Sequence, residues 1–110
     1  MNLPARIQKP AKRSGRIKCP AHRAWIRGFV CLICGTHPTE CAHVRMNSGA
    51  GMGEKPDDSR CVPLCPTCHR TQHAQGEPSF YAKHKIDIEA VLADFVKASP
   101  HRNKLRPNRP

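Results

Sequence analysis

At 110 residues the chain supports one domain, and a domain of that size buries only about 60 to 68% of the surface its unfolded form exposes. Hydrophobic residues make up 38% and aromatic residues 5%, with eleven prolines and seven glycines, so few large side chains are available for packing and seven cysteines stand in as cross-links. The net charge of +11 excludes an acidic or neutral surface, and no run approaches the roughly 20 apolar residues of a membrane span or the apolar core of a secretory leader. A cytoplasmic protein is therefore expected. In a reducing compartment an odd number of cysteines, paired twice as C-x2-C, points to metal rather than to disulfides.

The charge divides the chain into three parts. Residues 1–18 carry Arg6, Lys9, Lys12, Arg13, Arg16 and Lys18 without an acid, and residues 97–110 carry Lys97, Arg102, Lys104, Arg106 and Arg109, also without one. Between them, residues 19–96 are formally neutral, with eight basic and eight acidic side chains. The two ends are read as flexible basic arms that bind the phosphate backbone of a nucleic acid, with solubility as the plainer alternative.

Within the central part, Pro20 opens a short helix ending near Arg27–Gly28, with Ala21, Ala24, Trp25 and Gly28 on one face and Trp25 in the core. Phe29, Val30, Leu32 and Ile33 flank Cys31 and Cys34, as in a strand turning through a zinc knuckle, and a second strand runs through Cys41–Arg45. Residues 46–58 hold three glycines and form a loop. A helix beginning around Cys68 follows, then a short one opened by Pro78 that carries Phe80 and Tyr81. The last is capped by Asp87, with Ile88, Val91, Leu92, Phe95 and Val96 as one apolar stripe. There is no internal repeat.

Two constellations carry chemistry. Cys31-x2-Cys34 and Cys65-x2-Cys68 supply four thiolates, enough to close a tetrahedral zinc site with no open position, which makes it structural. Spacing alone leaves His69 open as a replacement for Cys68. The thirty residues between the knuckles exceed those of a simple ribbon and contain His43. On the following helix, His69 and His73 lie at i and i+4, where two imidazoles grip one metal. A metalloprotease would need Glu directly after the first histidine, and Arg70 stands there instead. Cys19-x2-His22 is a weaker ligand pair with no second pair beside it, Cys41 and Cys61 are read as small buried residues, and His37, His84 and His101 receive no role.

The sequence C-x2-C, then Ala42-His43-Val44, then Val62-Pro63-Leu64-Cys65-x2-Cys68-His69-x3-His73 resembles the zinc-knuckle branch of the HNH (ββα-metal) endonucleases over roughly residues 22–90. Trp25-Ile26-Arg27, Gly51-Met52-Gly53 and Lys55-Pro56-Asp57-Asp58 are most similar to phage and prophage nucleases related to the recombination enhancement (Ref-like) nuclease. The resemblance implies a small α+β fold: a ββα-metal core with a four-cysteine zinc knuckle, flanking short helices and basic arms. It implies His43 as general base and His69 and His73 as ligands of a catalytic divalent ion, Mg²⁺ or another. DNA is then the substrate and a recombinase filament a further partner.

Two positions depart from the family pattern. Ala42 occupies the place just before the base where many members carry a ligand, and Arg60 stands near the middle asparagine of the family name. Asp58, or else Asp57, is expected to supply the missing oxygen ligand, since a hard divalent ion favours carboxylate; a turn or capping aspartate is the competing reading. The mechanism so implied has neutral His43 accepting a proton from the attacking water, leaving 5′-phosphate and 3′-hydroxyl ends. The rival from another class is a non-catalytic zinc-dependent nucleic-acid-binding module, which needs the knuckles and the arms but not His43, His69 and His73 together. A protein-interaction adaptor explains the zinc and leaves the arms unaccounted for.

Overall fold

The computed structural model describes residues 16–50 and 54–105. The described residues run α1 (Pro20–Arg27), β1 (Glu40–His43), β2 (Cys61–Leu64), α2 (Pro66–Gln75), α3 (Glu77–Lys83) and α4 (Ile88–Ala98), followed by a 3₁₀ turn at Arg102–Leu105. It is a small α+β unit built around a two-stranded antiparallel sheet, and no helix among the described residues is long and apolar enough to cross a membrane.

Each helix has a local reason to begin. Proline stands in the first turn of α1, α2 and α3, where its missing N–H costs nothing, and the Asp87 carboxylate accepts from the Ala90 amide at 3.2 Å to cap α4. Gly76, at φ +85°, takes the left-handed backbone needed to turn from α2 into α3. The expected strand through Phe29–Ile33 is absent, and that segment is turn. The Ile33 amide is aimed at Cys31 Sγ at 3.4 Å, the Gly35 amide closes onto Cys31 O at 3.0 Å, and Gly35 bends at φ +73°. The strand expected at Cys41–Arg45 starts one residue earlier and stops at His43.

The register pairs Glu40 with Leu64, Cys41 with Pro63, Ala42 with Val62 and His43 with Cys61. Opposed residues share a face and successive residues alternate, so the sheet has two chemically different sides. On one, Ala42, Val44, Val62 and Leu64 join Phe80, Tyr81, Ile88 and Leu92 in the main apolar cluster. Truncating Phe80 there to alanine costs about 3–5 kcal/mol. On the other, His43 and Cys61 lie toward α1 and the segment before it. Pro63 is tolerated because each strand of a two-stranded sheet is an edge; its carbonyl accepts from the Leu32 amide at 2.9 Å and docks the knuckle on β2.

Three expectations change. The buried face of α1 is His22 and Ile26, whereas Ala21 and Ala24 are exposed. Trp25 is half-buried at the rim, in edge-to-face contact with Phe29 and Phe95 at 4.8 and 6.2 Å. The basic ends are also shorter than their composition suggested. Residues 16–18 are tied to the Asp57–Asp58 turn, α4 extends to Ala98, and Leu105 buries its side chain, so the chain is anchored to that point.

Candidate functional site

The four knuckle cysteines come together: the Sγ atoms of Cys31, Cys34, Cys65 and Cys68 lie within 4.8 Å of one another, and Cys34 and Cys65 are 3.5 Å apart. Zinc with bonds of about 2.3 Å in a tetrahedron places sulfurs about 3.8 Å apart, so the cluster fits a structural zinc ion. The sequence positions it by joining a knuckle turn to a helix N-terminus. Cys65 is the N-cap of α2 and its sulfur accepts from the Cys68 amide at 3.4 Å. That amide holds the Cys65 thiol down at about 6, near the thiolate a metal requires, whereas burial pushes the Cys68 thiol up. His69 is not in this group, so Cys68 is the fourth candidate ligand.

His69 and His73 sit one turn apart on α2 with their Nε2 atoms 3.2 Å apart. Two nitrogens at that separation subtend about 100° at an ion bound at 2.0–2.1 Å, between octahedral and tetrahedral values, so the pair fits a divalent cation. Nδ1 of His69 meets Oε1 of Glu40 at 3.0 Å. Glu40 was not singled out in the sequence; its only signal is a charged side chain at the start of a strand.

His43 belongs to a different cluster. Its Nε2 lies 2.9 Å from Oδ1 of Asp58, a side chain with no exposed surface. The Asp58 carboxylate also accepts from Arg16 Nη1 at 2.9 Å and from the Cys19 amide at 2.7 Å, and forms an ion pair with Arg23 Nε at 3.0 Å. Burial by itself raises this carboxyl, but the bonds from His43 and the Cys19 amide and the charges of Arg23 and Arg16 outweigh it, holding the carboxyl below the ordinary carboxylate value. An ionised carboxylate only accepts, so in a neutral His43 it is Nε2 that carries the proton, which leaves the lone pair on Nδ1.

Asp58 therefore stands with His43, not with His69 and His73, whose missing ligand it was expected to supply. A buried carboxylate needs countercharge, and Arg16 and Arg23 provide it. Asp57 is also placed elsewhere, accepting from the Ile17 amide at 2.8 Å. Cys61 Sγ lies within 4.8 Å of the His43 and Asp58 ligand atoms. Its thiol is pushed far up by its hydrogen bond with Cys41 and by burial, and with two arginines on Asp58 the trio is poorly suited to a cation.

Arg60 clamps the chain just after His43. Its Nη2 donates to Met46 O at 2.7 Å, its Nε to Val44 O at 3.2 Å, and its guanidinium forms a two-pronged pair with Glu89 of α4. Glu77 completes the hold by accepting from the Arg45 and Met46 amides. Of the expected phosphate-binding cations, Arg16 is committed to Asp58 and to Pro56 O, Lys18, Arg102 and Lys104 are exposed, and Arg6, Lys9, Lys12, Arg13 and Arg106 lie outside the described residues. Arg102 lines a cleft of about 800 Å³ with Arg60, Glu89 and Lys97.

Residues 4–99 match the family described as "Protein of unknown function (DUF968)", and the chain belongs to that family. No curated protein and no solved structure matches it.

Proposed function

We propose that this DUF968 chain is a metal-dependent endonuclease of the HNH (ββα-metal) type that hydrolyses phosphodiester bonds in DNA. The observation that carries the reading is the His43–Asp58 pair, a partly accessible imidazole held at 2.9 Å by a fully buried, ionised carboxylate. Such a carboxylate fixes one tautomer and stabilises the imidazolium that forms when the ring takes a proton. The chain order β1, β2, α2, with the four-cysteine knuckle at the start of α2 and the histidine pair along it, supports a ββα-metal core.

In this mechanism Nδ1 of His43 accepts a proton from the water that attacks phosphorus, while Nε2–H stays on Asp58. Arg60 and Glu77 keep the strand end from shifting the ring. His69 and His73 would hold the divalent ion, Mg²⁺ or another, which when bound stabilises negative charge on the phosphate and the leaving oxygen. Lys18, Arg102 and Lys104 attract the phosphate backbone. By family analogy the products carry 5′-phosphate and 3′-hydroxyl ends, and the setting is phage or prophage DNA processing or recombination beside a recombinase filament.

One observation favours a second reading, a non-catalytic zinc-dependent nucleic-acid-binding module: His43 and Glu40, the partner of His69, project from opposite faces of β1. Against this, α2 runs along β1 in the strand's own direction. His69 is bonded at Glu40, the strand's first residue, and Glu77, just beyond α2, is bonded at Arg45 and Met46, so α2 spans the length of β1 that leads to His43. The deciding experiment incubates the zinc-loaded chain with single- and double-stranded DNA, with and without Mg²⁺ or Mn²⁺. Ion-dependent cleavage is expected; binding without cleavage under every ion would leave the binding module.

A further inference from the structure

The pair on α2 has a partner that the proposed mechanism does not use. Glu40 opens β1 on the face opposite His43, and its Oε1 stands 3.0 Å from Nδ1 of His69 while Nε2 of the same ring stands 3.2 Å from Nε2 of His73. One imidazole thus has its two nitrogens facing two different neighbours. An ionised glutamate accepts only, so the proton of a neutral His69 sits on Nδ1 and the Nε2 lone pair is turned toward His73. Without the carboxylate the ring is free to protonate at Nε2, which blocks the nitrogen an ion needs, and to rotate about its side-chain torsions. Hydrogen-bonded carboxylates fix tautomer and orientation in this way at known histidine–metal centres and raise the basicity of the ligating nitrogen.

We propose that Glu40 is a positioning residue for a divalent-ion site on α2: it takes the Nδ1 proton of His69 and so presents two Nε2 atoms to one ion. The inference rests on the reading of His69 and His73 as metal ligands. Because Asp58 is committed to His43, these two nitrogens are the protein's contribution among the described residues, and the remaining positions on the ion would be open to water and to phosphate oxygens. A site so sparsely held depends strongly on the orientation of each ring, which is why an exposed glutamate can matter to it.

The test uses the full chain with one equivalent of zinc on the cysteines, titrated with Mn²⁺ by calorimetry, and ¹⁵N spectra of the histidine rings recorded without Mn²⁺. The parent is expected to bind one Mn²⁺ that His73→Ala does not bind, and its His69 to be protonated at Nδ1. Glu40→Ala should weaken Mn²⁺ binding about 10- to 100-fold and shift His69 away from the Nδ1–H form. Glu40→Gln, whose amide oxygen can still accept, should restore most of both. Glu40 is exposed, so these variants should fold as the parent does. If Glu40→Ala binds Mn²⁺ as the parent does, or leaves the tautomer unchanged, the positioning role is overturned and the metal pair stands. If the parent binds no better than His73→Ala, the metal pair falls and the inference with it. DNA cleavage is read separately, so failure of the nuclease reading would not be mistaken for either result.

Discussion

His43 and Asp58 meet Nε2 to Oδ1 at 2.9 Å across fifteen residues of chain, and the carboxylate that holds the ring is the same one that ties residues 16–19 to the domain. Orientation of the ring and closure of the fold therefore share one side chain.

Asp58→Asn should separate the two roles. A buried carboxylate paired with two partly exposed arginines costs about 3 kcal/mol to break, the low end of the range for buried pairs because water reaches Arg16 and Arg23. Urea unfolding of zinc-loaded protein should show that loss. Cleavage should fall by about 10²-fold or more even where the variant is fully folded, because an amide can donate to Nε2 and so favour the wrong tautomer. A variant that loses stability but cuts at the parental rate would confine Asp58 to the fold.

Metal removal should act on the whole domain. We expect one tightly bound zinc per chain on Cys31, Cys34, Cys65 and Cys68, and Cys65→Ser to unfold it, since serine can still cap α2 but supplies no thiolate to the metal. Structural zinc contributes about 10–16 kcal/mol of apparent binding free energy in finger peptides, as much as a small domain's entire stability. Elemental analysis and circular dichroism with a chelator check this; a zinc-free chain with its helices intact would refute it.

The sequence and the structure agree where a single segment holds the whole signal. Asp87 and the stripe from Ile88 to Val96 define α4 by themselves, and the paired C-x2-C motifs locate the cysteine cluster without tertiary information. They part where a partner is distant. Asp58 reads locally as a loop aspartate because Arg16, which neutralises it, lies 42 residues away. The face of α1 is misjudged because His22 is polar on any scale yet fully buried, its Nδ1 bonded to Ser99 Oγ at 2.8 Å, 77 residues on. Glu40 is invisible for the same reason: a surface charge acquires meaning only when α2 is laid against β1.

His22 should make stability pH-dependent in a definite window. Burial, aided by the charge of His101 and opposed by that of Asp58, holds its imidazole below the ordinary value of 6.5, and its Nε2 has no partner. Above 6.5 the ring is neutral in both states and contributes no slope. As pH falls below 6.5 the unfolded chain takes up the proton first, so stability declines until the folded ring also protonates, by at most about 1.4 kcal/mol per pH unit. The window lies above that of Asp58, whose lowered carboxyl loses its contribution only below the ordinary carboxylate range. The stability difference between parent and His22→Gln, measured zinc-saturated from pH 7.5 to 5.5, should shrink on acidification; a constant difference would show that this ring does not titrate with folding.

The enzyme and the binding module part most clearly at His43 and His73. His43→Ala should abolish cleavage while DNA binding and the zinc remain, because the imidazole is assigned to moving a proton and general-base catalysis is worth about 10²- to 10⁴-fold. Some loss of stability is expected from the vacated contact with Asp58, so activity is compared only for protein shown to be folded. His73→Ala should also cripple cleavage, for a different reason: it removes one of the two nitrogens proposed to hold the ion, and raising the Mg²⁺ or Mn²⁺ concentration should recover part of the rate. The same excess of ion should do nothing for His43→Ala. Rate against metal concentration for the three proteins therefore distinguishes proton transfer from ion binding. Equal cleavage by His43→Ala and the parent would remove His43 as the general base, whereas a parent inert with every ion would remove the nuclease reading in favour of a module that binds nucleic acid without cutting it.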